Sequence, residues 1–196
     1  MFEKVTFSFI PRRYSLIFSL EALVAAKVSH NDIKPSNYLA DWPQGQAPTV
    51  TNLKIYLTDF GMVDQSGGTP VFCSPEGLTG ATLGLSDLFS LGRVYLFLVL
   101  ENRSLFYTLV FESILTSRRL RAIRKVLKNY PILNLITEMT HFEKNKRVTI
   151  AQVQQRLTNM KIEIITKANI ENLLTAQGHS GITIQDYQVD EMMAET

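Results

Sequence analysis

The chain has a single cysteine, Cys73, among its 196 residues. No intrachain disulfide can form, and a reducing, intracellular and cytoplasmic setting is expected. Charge is scarce and balanced: charged residues make up 19% and the net charge is +2. No strong field recruits a polyanion, so no specific nucleic-acid partner is expected. Long apolar runs are also lacking. Leu88 to Leu100 spans only 13 residues and contains Arg93, which suits a buried helix and not a bilayer span. Tyr14 to Ala26 follows Arg12 and Arg13 as a leader's apolar stretch does, but Glu21 interrupts it and no small-residue cleavage site follows. No transmembrane segment, internal repeat or low-complexity tract is expected. What is present is a 45% apolar composition, enough for one domain with a buried core.

Periodicity outlines the organisation. Residues 1–11 are apolar and aromatic, a strand or an irregular lead-in ended by Pro11. From Arg13 to Lys27, Leu16, Ile17, Leu20, Leu23 and Val24 recur at helical spacing and predict a helix with these residues inward. HNDIKPSN (30–37) has poor periodicity and a proline, so it reads as a loop. Tyr38–Ala40 and Leu53–Thr58 read as short strands around a surface loop, a hairpin whose ends carry the polar residues. Residues 64–70 (DQSGGTP) read as a flexible connector. Beyond Leu85 the pattern is helical, with Ser86 as a cap for a helix to Leu100 and further helices near 105–115, 118–129, 131–140, 149–160 and 167–176. The expected class is mainly α (α+β): a helical bundle with a small β-hairpin.

Three short motifs stand in order along this layout. They are His30-x-Asp32-x-Lys34-x-x-Asn37, then Asp59-Phe60-Gly61, then Gly68-Thr69-Pro70 followed by Ser74-Pro75-Glu76. A lone His30 reads as a core histidine, a lone DFG triplet as a turn, and Asp87 as a helix N-terminal charge. Cys73 reads as a half-buried neutral thiol and Trp42 as an anchor of its loop. Together, the ordered motifs followed by helices resemble the C-terminal lobe of eukaryotic protein kinases of the serine/threonine type. The resemblance covers about residues 13–160, with 1–12 as a lead-in remnant and 161–196 as a partly disordered extension.

The resemblance implies transfer of the ATP γ-phosphate to serine or threonine hydroxyls of a protein substrate, with ATP and Mg²⁺ as cofactors. It implies Asp32 as the residue that accepts the hydroxyl proton and Lys34 as the charge facing the transferred phosphate. Asn37 and Asp59 would hold metal, and Leu39 would sit under the adenine. Such chemistry needs alignment and charge compensation more than covalent work, and hard oxygen ligands suit Mg²⁺. Thr69 would bond Asp32 and Lys34, and Thr69, Pro70 and Glu76 would belong to the activation and substrate segment. His30 and Phe60 would stack beside Gly61, Asp87 would accept backbone N–H bonds from the catalytic loop, and Arg147 would pair with Glu76.

Two departures stand out. Asn31 occupies the place of the arginine that answers an activation-segment phosphate in most relatives, and only twelve residues separate Gly61 from Ser74. An activity not gated by phosphorylation of that segment is expected. Only 29 residues precede His30, without a GxGxxG loop, a VAIK-like strand or a Walker-type cradle. The expectation is that the N-terminal lobe is missing and that this chain alone is inactive: a fragment, a degenerate product, or a lobe completed by a partner. The alternative function is a catalytically inactive binding or regulatory module. Ser117 to Lys128 carries six positive charges with Leu120, Ile123 and Leu127 on one face. It reads as a solvated basic face over a core stripe, and as the place for an acidic partner if one exists.

Overall fold

The computed structural model describes residues 2–4, 14–47, 49, 52–78, 84–111, 118–182 and 184. The fold is mainly α. Strand β1 (Phe2–Lys4) precedes helix α1 (Tyr14–Ala26), and a 3₁₀ turn at Pro35–Asn37 leads into strands β2 (Tyr38–Asp41) and β3 (Lys54–Leu57). Six helices follow: α2 (Leu85–Val99), α3 (Arg103–Phe111), α4 (Arg118–Leu127), α5 (Pro131–Met139), α6 (Ile150–Thr158) and α7 (Lys167–Ala176). The sheet is antiparallel in the order β1-β2-β3, so the predicted hairpin gains a third strand from the lead-in.

Helix α2 is the axis of the core. Its residues are apolar on nearly every side, and all but a few are buried. A helix that is apolar all round belongs in the interior, and Leu88, Leu91, Tyr95 and Leu98 each contribute roughly 1.5–3 kcal/mol by leaving water. Gly92 sits mid-helix, where glycine costs about 0.5–1 kcal/mol. Packing explains it: a Cβ there would lie 2.7 Å from Thr140 Cγ2 and 3.0 Å from Met139 Cβ, at the end of α5.

Helix α1 buries Leu16, Ile17, Leu20 and Leu23, and packs on α6 and β3. Val24, predicted inward, is 40% exposed. It lies on the same stripe, in the last turn of α1, where its spacing matches Leu20 and Ile17 but its side chain stays open to solvent. Ser86 does not cap α2. The helix begins one residue earlier, after Gly84 at φ 71°, and Ser86 lies buried in its first turn. A left-handed glycine turns the chain sharply enough to start the helix without a side-chain cap.

The predicted helix over 105–115 starts at Arg103, and its residues 112–115 lie outside the described residues. Helix α6 starts one residue later than predicted because Thr149 is its N-cap, in a capping box with Gln152. The same device, Thr166 with Asn169, starts α7. Ile162, Ile165, Ile170, Leu174 and Ile184 join the same core, and Ile165 bridges Leu100 at the end of α2. Residues 186–196, the end of the extension expected to be partly disordered, lie outside the described residues. In α4, Ala122, Ile123, Val126 and Leu127 face inward and Arg121 and Lys125 face solvent, while Ser117 and the side chain of Leu120 lie outside the described residues. Among the described residues no helix is long and apolar enough to cross a membrane.

Candidate active site

The hairpin brings two loops together at one end of the sheet. Tyr38 pairs with Leu57, so Asn37 and Thr58 face each other just beyond the last rung. Thr58 donates its N–H (2.8 Å) and its hydroxyl (3.0 Å) to the Asn37 carbonyl. The loop before β2 and the Asp59-Phe60-Gly61 loop after β3 therefore share an anchor.

The first loop is also held from below. Asp87, in the first turn of α2, accepts the N–H of His30 at 2.8 Å and that of Asn31 at 2.9 Å. Burial pushes its carboxyl up from the ordinary value, and the two backbone N–H bonds oppose that shift. The His30 ring spans the two loops. Its Nε2 donates to the Thr58 carbonyl at 3.0 Å and its Nδ1 accepts the Asp32 N–H at 3.3 Å, which sets the tautomer. The ring also packs against Phe60, with centroids 4.9 Å apart.

Asp32 is the centre of the polar array. Its Oδ1 accepts the Thr69 N–H (2.9 Å) and the Thr69 hydroxyl (2.8 Å). Its Oδ2 meets Lys34 Nζ at 2.7 Å and accepts Asn37 Nδ2 at 3.2 Å. Lys34 Nζ also donates to Thr69 Oγ1 at 2.9 Å, and Asn37 Nδ2 to the Asp32 carbonyl at 2.8 Å. Burial alone would raise the Asp32 carboxyl. The hydrogen bonds from Lys34 and Thr69, with the lysine charge, outweigh burial and hold it below the usual carboxylate range. Asp32, Met62, Gly68, Thr69 and Pro70 line a cavity of about 410 Å³.

Asn37 Nδ2 is committed to Asp32, which leaves Oδ1 as an acceptor that no described donor engages. Asp59 is exposed at φ 63°, and among the described residues its carboxylate has no donor. An amide oxygen and a carboxylate fit Mg²⁺, which takes few protein ligands when phosphates supply the rest. Among the described residues no cluster of three or more His, Cys, Asp or Glu forms a self-contained metal site. Leu39 lies mid-strand in β2, half-buried, between Lys4 and Tyr56.

The segment expected to be a flexible connector is tied to the first loop. Asp64 Oδ1 accepts the Ser29 N–H at 3.0 Å, and the Asp64 N–H donates to the Ser29 carbonyl at 3.0 Å. Asn31 donates Nδ2 to the Met62 carbonyl at 3.3 Å, while its Oδ1 is buried without a partner. Gly68, at φ 101°, crosses so close that an added Cβ would stand 2.2 Å from the Asn31 carbonyl oxygen. Cys73, half-buried, donates its thiol to the Gly67 carbonyl at 2.9 Å, and burial, then Glu76 and Asp32, push its pKa up.

Sequence reasoning missed the Ser29–Asp64 exchange and the Asn31–Met62 bond. One signal was available: Asn31, Asp59 and Asp64 all take positive φ, which Asn and Asp tolerate best among residues with a side chain.

Further along, Pro75 leads to Glu76, whose carboxylate takes a two-pronged bond from Arg147, with Nη2–Oε2 at 2.8 Å and Nη1–Oε1 beside it. Arg147 Nη1 also donates to the Leu85 carbonyl at 2.8 Å and Nε to that of His141 at 2.9 Å. Phe89 lies under the guanidinium, 4.9 Å from ring centroid to Cζ. This knot joins the end of the segment to the start of α2 and to the turn before α6. Burial would raise Glu76, and the Arg147 bonds and charge bring it below its ordinary value.

A family model for the protein kinase domain matches residues 12–157, a span that holds every residue of this array. No curated protein matches the chain. The ordered loops, the Asp87 anchor and this match agree, and the chain belongs to the protein kinase domain family.

Proposed function

We propose that residues 13–160 are the catalytic lobe of a serine/threonine protein kinase, with Asp32 orienting the acceptor hydroxyl and Lys34 compensating charge on the transferred phosphate. The observation that carries this reading is the closed array of Asp32, Lys34 and Thr69, three mutual contacts between 2.7 and 2.9 Å. A lobe used only for binding has no need of that arrangement. A carboxylate held below its usual range is a weak base. That suits phosphoryl transfer, where a largely dissociative transition state asks for alignment before proton removal. Thr69 would fix one oxygen of the Asp32 carboxylate and Lys34 the other, beside the 410 Å³ cavity lined by Asp32 and Thr69 that a hydroxyl side chain would enter. Asn37 and Asp59 would hold Mg²⁺. When bound, Mg-ATP supplies the transferable phosphoryl group and neutralises its charge. The lysine and threonine at these positions support serine/threonine selectivity.

Asn31 supports an activity independent of segment phosphorylation, because it binds the Met62 carbonyl directly at 3.3 Å. The test is transfer of labelled phosphate from Mg-ATP to a serine- and threonine-bearing protein by the native polypeptide as its cell makes it. Asp32→Asn should lower the rate by about 10²–10⁴-fold, the usual worth of a positioned acid–base group. Near wild-type transfer by Asp32→Asn would refute the role of Asp32, and phosphotyrosine as the main product would refute the selectivity.

A further inference from the structure

Arg93 has no part in the array above, yet it is costly where it sits. It occupies the middle of α2, half-buried, and its Nε is buried without a hydrogen-bond partner. Its guanidinium lies 5.1 Å from the Phe89 ring centroid. Burial pushes its pKa down to about 10, so the charge persists at neutral pH. A buried N–H donor left without an acceptor carries a desolvation cost that natural cores seldom accept.

The place that Arg93 lines explains the cost. A cavity of about 680 Å³ lies between α2, α3, α4 and α5, and its wall includes Arg93 and Lys128 beside Leu96, Leu109 and Leu127. The acid on that wall, Glu138, is taken by Arg156 through two bonds of 2.5 and 3.0 Å. Arg93 and Lys128 therefore leave the wall with a positive excess over an apolar floor. The volume is that of a small-molecule site, within the usual range of roughly 300–1,000 Å³.

We propose that this cavity binds a small amphiphilic oxyanion, a phosphate or carboxylate on an apolar body, with Arg93 as the anchor of the head group. A planar fork of N–H donors matches either oxyanion. Lys128, exposed at the rim, adds long-range attraction, and the leucines take the apolar body. The inference stands apart from the catalytic reading, since no residue of the Asp32 array lines the cavity.

Calorimetric titration of the full chain tests it with four probes: octyl phosphate, octanoate, octanol and inorganic phosphate. Saturable one-site binding of octyl phosphate or octanoate is expected, at least about tenfold tighter than octanol, and the better of the two identifies the head group. Arg93→Gln should weaken that binding by about thirtyfold or more, as loss of a buried charged partner does. Lys128→Glu, a rim change that leaves the core intact, should weaken it severalfold and decides the matter if Arg93→Gln does not fold. Equal affinity for octanol, binding unchanged in the folded variants, or no saturation by any probe at about 10 mM would each overturn the proposal, the last bound being weaker than about 3 kcal/mol of binding free energy.

Discussion

Replacing Glu76 by alanine tests the tertiary logic of this lobe. The Arg147 side chain is 0% exposed and the Glu76 side chain 18%, so the pair is buried on one side and nearly so on the other. Removing the acid strands a charge that cannot reach water. Losses of this kind run to about 3–5 kcal/mol, in contrast with about 0–1 kcal/mol for a surface pair. The survivor keeps the Leu85 and His141 carbonyls and the Phe89 face, so the lower end, about 3 kcal/mol, is expected. At roughly 2–4 °C per kcal/mol for a chain of this size, the midpoint should fall by about 6–12 °C.

Urea unfolding with an unchanged m-value is the assay. The pH dependence gives an independent check. The folded carboxyl lies below its ordinary value, so the folded state holds the Glu76 proton less tightly than the unfolded state does. Its contribution is complete above the ordinary glutamate range and is lost as pH falls through the lowered folded value. Glu76→Gln should flatten that acid limb. A loss under about 1 kcal/mol for Glu76→Ala would show that the pair behaves as a surface pair and would sink the reasoning.

Three more outcomes follow from the loop geometry. Gly68→Ala should cost about 1–3 kcal/mol and distort the first loop, whereas Gly45→Ala, at φ 79° with nothing within 4 Å, should show the backbone cost alone; equal urea midpoints would refute the Asn31 clash. Thr69→Val removes the hydroxyl bonds at 2.8 and 2.9 Å but keeps the N–H bond, so phosphate transfer should fall on the order of 10²-fold and return with Thr69→Ser, and an unchanged rate would count against the positioning role. Asp87→Ala leaves the His30 and Asn31 N–H groups without an acceptor, at about 1–3 kcal/mol each. Hydrogen exchange at those two amides should speed up sharply, and unchanged protection would refute the anchor.

Much of this molecule is written locally. The helices follow from apolar spacing, and the capping boxes at Thr149 and Thr166 place two of their starts within a residue. The hairpin and its polar ends follow from turn residues and alternation. The loop residues His30, Asp32, Lys34, Asn37 and Asp59 are visible because their order and spacing carry the pattern of a family. Local reading failed where a neighbour distant in sequence decides. Val24 has the right spacing to be inward and is exposed, because burial depends on what lies opposite. Ser86 has the right chemistry for a cap and is buried instead, because Gly84 makes the turn before it.

The amino-acid order by itself determined the helical class, the hairpin and the identity of the loops, since periodicity and turn chemistry act over a few residues. Only the tertiary structure decided how the segment 62–77 is fastened. Its bonds to Ser29, Asn31 and Asp32 join residues more than thirty positions apart, and no local spacing encodes them. It also decided that Arg93, one charge inside an apolar run, borders a cavity, since a cavity is a property of four packed helices and not of any one of them.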